Sequence, residues 1–119
     1  MRIISFAWTT PALLAGRKTC TRREWDDGYA RRFHAGDLIA AYDKSPRSGG
    51  KQVATIRLTS NPYKALTSDM PDSDWEAEGF AYLTEIGAKV NGHTPRELWD
   101  DWHRRPVTLW VVRFELVVG

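Results

Sequence analysis

Between Arg17 and Arg23 the chain places Arg17, Lys18, Arg22 and Arg23 beside the hydroxyls of Thr19 and Thr21, directly after Gly16. Four cations within seven residues create a positive potential far above the formal net charge of +2. Such a cluster suits an anionic or nucleotide-like ligand. Arg17, Arg22 and Arg23 are candidate contacts to substrate or nucleic acid, and Trp25, just beyond them, offers a flat face on which a base could stack. The competing reading has Arg22 and Arg23 in surface ion pairs with Glu24, Asp26 or Asp27, and Trp25 in packing.

Other reactive side chains carry less. Cys20 is the single cysteine, so there is neither an internal disulfide framework nor a cysteine-based zinc site. Strand-like alternation points it away from Thr19 and Thr21, which reads it as a small buried hydrophobe. His34, His93 and His103 lack ligand spacing, so no metal and no cofactor is implied.

These residues need elements to position them. Ile4, Phe6 and Trp8 share one side of an extended segment, the period of a first strand. Thr10 as cap, Pro11 at the first position and Gly16 as a left-handed close predict a short helix, so Lys18 to Arg23 begins just past a helix end, as a loop or the beginning of a strand. Gly36-Asp37 reads as a turn and Leu38 to Tyr42 as the next strand. Ala54, Ile56, Leu58 and Ser60 alternate with Val53, Thr55, Arg57 and Thr59, and Asn61-Pro62 stops them. These two strands, joined through Gly49-Gly50, predict a long-looped hairpin.

The period then changes. Ser73 and Glu76 form a capping-box pattern, and Phe80, Leu83, Ile86 and Val90 predict a helix from about Asp74 to Lys89, weakened by Gly79 and Gly87. Thr94-Pro95-Arg96-Glu97 starts a second helix through Trp99 and Trp102. Trp110, Val112, Phe114 and Leu116 alternate with Val111, Arg113 and Glu115 in a closing strand expected to pair near the first. Strands before and after two helices indicate an α+β domain.

With 119 residues, 42% apolar and 27% charged, the chain suits one domain with one core, spanning residues 1–119. Lysine and arginine outnumber acids by only 17 to 15, so a local basic patch is expected rather than a coat over the whole surface. Arg31, Arg32, Lys44, Arg47 and Lys51 could extend that patch along one edge, which favours a nucleic-acid strand over a free nucleoside. No segment is long and apolar enough for a signal core or a membrane span, and the expected setting is the reducing cytoplasm.

The Ala15-Gly16, Lys18-Thr19, Thr21 and Arg23 pattern, with Gly36-Asp37 and Glu78-Gly79-Phe80 further on, resembles the ASCH domain of the PUA-like superfamily, from about Ile3 to Leu116. The resemblance implies a small, partly open β-barrel with helices on its side, and a ligand that is RNA, a nucleoside or a modified base. It is similar to the branch that hydrolyses N4-acetylcytidine, whose lysine, threonine and distant glutamate fall on Lys18, Thr21 and Glu78. Other members bind RNA or modified bases without turnover, and RNA cleavage lacks a visible acid and base set here.

A threonine hydroxyl is a poor nucleophile at neutral pH until a base stands beside it, and a lysine is such a base only without its proton. Arg17, Arg22 and Arg23, together with burial, would lower the Lys18 pKa, while Glu78 would raise it. The function that the resemblance implies is hydrolysis of an N4-acylated cytidine, with a non-catalytic RNA or modified-base binding module as the alternative. Oligomeric state has no signature in the sequence.

Overall fold

In a computed structural model, which describes residues 1–118, the chain forms six strands and five short helices. They follow in the order β1 (Arg2–Ser5), α1 (Thr10–Leu14), β2 (Cys20–Arg23), α2 (Asp27–Ala30), β3 (Leu38–Tyr42), β4 (Gln52–Leu58), β5 (Tyr63–Leu66), α3 (Asp74–Ala77), α4 (Phe80–Glu85), α5 (Pro95–Arg104) and β6 (Thr108–Leu116). The α+β class expected from the sequence is what this order shows.

The strands make one sheet in the order β1-β3-β4-β6-β2, with β5 also paired to β6. All pairings are antiparallel except β1 with β3, which run parallel with Ile4 opposite Ala41. The nine-residue β6 is the spine of the sheet. It carries β4 through Phe114 opposite Leu58, β5 through Val111 opposite Tyr63, and β2 through Val112 opposite Thr21. The closing strand therefore does not lie beside the first, as its alternation had suggested; β3 takes that place. The two end strands, β1 and β2, nevertheless approach each other, because Arg23 on β2 donates from Nη2 to the Ser5 carbonyl on β1 at 2.6 Å. Contact between opposite ends requires the sheet to curl, and it forms a half-barrel with one open seam.

Two apolar clusters fill the molecule. Ile4, Phe6, Leu13, Phe33, Ile56, Val112 and Phe114 pack within the curl. Ala12, Met70, Phe80, Leu83 and Trp99 form a second cluster among the helices, with Trp75 and Trp102 against it. Adjacent residues of α1 belong to different clusters, Leu13 to the first and Ala12 to the second, so this helix joins sheet to helical layer. Burying each large side chain contributes about 1.5–3 kcal/mol.

Three local expectations change. β1 ends at Ser5, and Trp8 stands on a single 3-10 turn, 57% exposed, because Ala7 adopts a positive φ of 47°. The helix expected over Asp74 to Lys89 is broken into α3 and α4 at Gly79, whose φ is +89°. Ser73 makes no side-chain cap, and Glu76 is instead held by Arg17 at 2.7 Å. By contrast, α5 begins with the full capping box, Thr94 accepting from the Glu97 N–H and Glu97 accepting from the Thr94 N–H.

Candidate functional site

The left-handed turn at Gly79 shapes the floor of the site. A Cβ there would lie 2.6 Å from the Ala12 Cβ and 3.3 Å from the Lys18 Cβ, so only glycine lets the α3–α4 junction sit this close to α1 and the segment after it. That segment is stitched in from both sides. The Thr19 N–H donates to the Ala77 carbonyl at 2.8 Å, and the Thr19 carbonyl accepts from the Phe114 N–H at 2.9 Å. The end of α3 also leaves the Glu78 carbonyl without a helical donor. Lys18 Nζ donates to it at 2.7 Å and to Glu78 Oε1 at 3.3 Å.

Lys18, Thr21 and Glu78 thus line one cleft of about 260 Å³ at the open seam, together with Arg22 and Arg23. Ser5, Phe6, Ala7 and Thr9 form the β1 side, and Phe80, Val90, Leu98 and Trp102 the helical side. The Lys18, Thr21 and Glu78 side chains are buried. A groove of about 300 Å³ along α5, lined by His93, Glu97 and Asp101, is of similar size but holds no buried charged group.

The charges on the floor are paired in a definite order. Glu78 accepts from Lys18 on Oε1 and from Arg22 Nη1 on Oε2, the latter at 2.7 Å. Arg22 Nη2 donates to Asp74 Oδ2 at 2.6 Å, and Asp74 receives both terminal nitrogens of Arg113 at 3.0 Å. Arg23 donates from Nε to Thr21 Oγ1 at 3.1 Å and lies over the Phe6 ring. Counting Lys18, Arg22, Arg23 and Arg113 against Glu78 and Asp74, cations exceed carboxylates. A neutral Lys18 halves that excess.

Burial pulls the Lys18 ammonium below the ordinary lysine value, Glu78 pulls it back, and Arg23 adds to the downward pull. Burial also lowers Arg23, although a guanidinium stays charged at neutral pH. For Arg22, the attraction of Glu78 and Asp74 overcomes the cost of burial and raises the pKa. Asp74 shows the mirror effect: burial pushes its carboxyl up, but Arg113 and Arg22 outweigh it and hold it below the usual range. Cys20 is pushed up to about 12, first by burial and then by Glu78, whose Oε2 lies 3.5 Å from Sγ. It is a buried thiol, as expected, although its neighbours are charged rather than apolar.

The remaining site residues anticipated from the sequence separate. Arg22 reaches the cleft, but both its terminal nitrogens are spent on carboxylates, leaving Nε as its buried donor without a partner. Neither Arg22 nor Arg23 pairs with Glu24, Asp26 or Asp27; Asp26 caps α2 and Asp27 holds Lys64. Arg17 lies outside the cleft, bonded to Glu76 and Glu85 over the Tyr82 ring. Trp25 stacks on Phe33 at 4.6 Å between centroids and packs against the sheet cluster. Its loop is folded onto the core, away from the cleft. Asp74 and Arg113 were not anticipated, since a charge at a helix start or on an alternating strand reads as solvent-facing. Among the described residues, no group of three or more histidine, cysteine, aspartate and glutamate side chains could hold a metal ion.

No family model matches the chain, and no curated protein matches it. Among solved structures it is similar to protein EF3133 from Enterococcus faecalis, described as a DUF984 protein, with a TM-score of 0.59 and 19% identity over 98% of this chain and 76% of that one. At this identity the likeness is one of fold.

Proposed function

We propose that the half-barrel is of the PUA-like type and that its seam binds a modified pyrimidine nucleoside, hydrolysing the amide of an N4-acylated cytidine. The observation that carries this reading is the shared cleft of Lys18, Thr21 and Glu78, with the Lys18 ammonium nitrogen 3.3 Å from the Glu78 carboxylate. Phe6, Phe80 and Trp102 supply apolar walls for a flat base.

In the first half of the reaction neutral Lys18 takes the proton of the Thr21 hydroxyl, and Oγ1 attacks the acyl carbonyl carbon. The tetrahedral oxyanion forms beside Arg23, which already donates to Thr21 Oγ1. Its collapse breaks the carbon–N4 bond, and the proton held by Lys18 passes through Glu78 to the departing N4 amine. In the second half Lys18 takes a proton from water. The hydroxide attacks the acyl-threonine ester, the ester bond breaks, and the Thr21 oxygen recovers the proton as the carboxylic acid leaves.

The test is release of cytidine from N4-acetylcytidine by the purified protein, with Lys18→Ala and Thr21→Ala run beside it. Release in the parent and its loss by at least about 100-fold in both variants supports the reading. A folded parent that releases nothing overturns it. The cation excess at the seam would then serve a binding module for RNA or a modified base, recognisable by affinity that falls steeply with added salt.

A further inference from the structure

The hydrogen bonds on the cleft floor continue past the residues that line it. Lys18, Glu78, Arg22, Asp74 and Arg113 alternate in charge, each bonded to the next, and Arg113 Nε donates to the Tyr63 hydroxyl at 3.0 Å. The ladder begins at a buried lysine and ends on β5 at Tyr63, which is 42% exposed. Asp74 and Arg113 do not line the cleft. From this geometry we infer that Arg113 and Asp74 are positioning residues. They fix Arg22, Arg22 divides the charge of Glu78, and that division sets how readily Lys18 gives up its proton.

Each carboxylate of the ladder is shared between two cations. Glu78 has two oxygens and two cationic partners, Lys18 on Oε1 and Arg22 on Oε2. Asp74 likewise stands between Arg22 on one side and Arg113 on the other. Arg113 spans both Asp74 oxygens as a fork, so Arg22 is left a single bond to Oδ2 and its other terminal nitrogen stays on Glu78. Without the Arg113 fork, Arg22 would be free to take Asp74 with both nitrogens and leave Glu78. The full Glu78 charge would then fall on Lys18 and strengthen its hold on the proton. The charged and titratable groups facing Lys18 are Glu78 from the end of α3 and Cys20 and Arg23 from β2; Cys20 is a neutral thiol and Arg23 is engaged by Thr21 and Ser5. Glu78 is therefore the group through which the ladder acts.

This inference rests on Lys18 acting as the base, and it is tested by two readouts that fail separately. One is the pH profile of N4-acetylcytidine hydrolysis, with kcat and KM resolved. The other is the titration of Lys18 followed by NMR of its labelled side chain, which needs no turnover. The informative variant is Arg113→Lys, which keeps the charge but cannot bond both Asp74 oxygens and Tyr63 together. Tyr63→Phe, which removes only the outermost bond, is the milder companion and guards against a variant that does not fold.

In Arg113→Lys the Lys18 titration is expected to move upward by about one pH unit, and the rising limb of the rate with it. KM should stay within about twofold, because Arg113 does not touch the cleft. The shift should persist in high salt, where a surface charge acting at a distance would be screened. Tyr63→Phe should move the titration the same way by less. A Lys18 titration unchanged in folded Arg113→Lys overturns the ladder even if hydrolysis is observed. A shifted titration in a protein that never hydrolyses the nucleoside supports the ladder and removes the proposed reaction.

Discussion

Arg23 and Ser5 meet across the open seam, the guanidinium of one strand end donating to the backbone carbonyl of the other at 2.6 Å. The same guanidinium donates to Thr21 and covers the Phe6 ring, so one side chain closes the curl and forms part of the cleft wall. Arg23→Ala is expected to lower stability by about 2–3 kcal/mol, because two charge-assisted bonds are lost and their partly buried acceptors are left without this donor. Urea unfolding of the two proteins measures this, and a difference below about 0.5 kcal/mol would show that the latch carries no weight.

Gly79 should tolerate no side chain. In Gly79→Ala the new methyl would meet Ala12 at 2.6 Å on a backbone with φ of +89°. Left-handed strain and overpacking each cost about 1–3 kcal/mol. Because Lys18 is the next nearest neighbour, the variant should also displace the lysine from Glu78. Thermal unfolding reads the first effect, and the Lys18 NMR signal reads the second.

Cys20 should be silent in the folded protein. Its thiol is buried and its pKa pushed up to about 12, so almost no thiolate exists at pH 8. A disulfide reagent such as DTNB is expected to label no thiol in native protein and one per chain in denaturant. Rapid native labelling would mean that the floor opens far more often than its packing implies.

Acid should act through Asp74. Its carboxyl is held below the ordinary value, so the folded chain binds this proton less readily than the unfolded chain does. The stability it contributes is complete above its ordinary titration range and is lost as pH falls through the lower folded-state value. Asp74→Asn should be less stable than the parent at pH 7 and should lose less on acidification. Circular dichroism between pH 7 and pH 2 separates the two curves, and parallel curves would exclude Asp74 as a source of acid sensitivity.

Local signals were legible where the chain solves its own bonding. Thr94 and Glu97 satisfy each other within one turn, and the start of α5 is correspondingly plain from the residues. The β3–β4 hairpin follows from alternation and its glycine loop. Partner choice in the sheet does not, since β6 presents the same pattern whichever strand lies beside it. β5 escaped because four residues after a proline, paired on one side only, carry too little pattern. The helical period through Phe80 and Leu83 suggested one helix where Gly79 makes two, and Ile86, within that stripe, is 49% exposed. At the site, Lys18, Thr21 and Glu78 stood out through a resemblance rather than through spacing. The charges that buttress them, Asp74 and Arg113, have no such flag, because burial of a lone charge is decided by the fold around it.

Every bond in the ladder from Lys18 to Arg113 joins positions 39 to 60 residues apart in the chain. Bonds of that span form only after large loops have closed, and they do not exist in any short fragment. The cleft floor is therefore not carried by any prefolded piece of the chain; it needs the same long-range contacts that build the sheet, where Cys20 pairs with Arg113. Its chemistry becomes a gauge of complete folding, lost in any species that has secondary structure but not yet the junction of β2, β6 and the α3–α4 break.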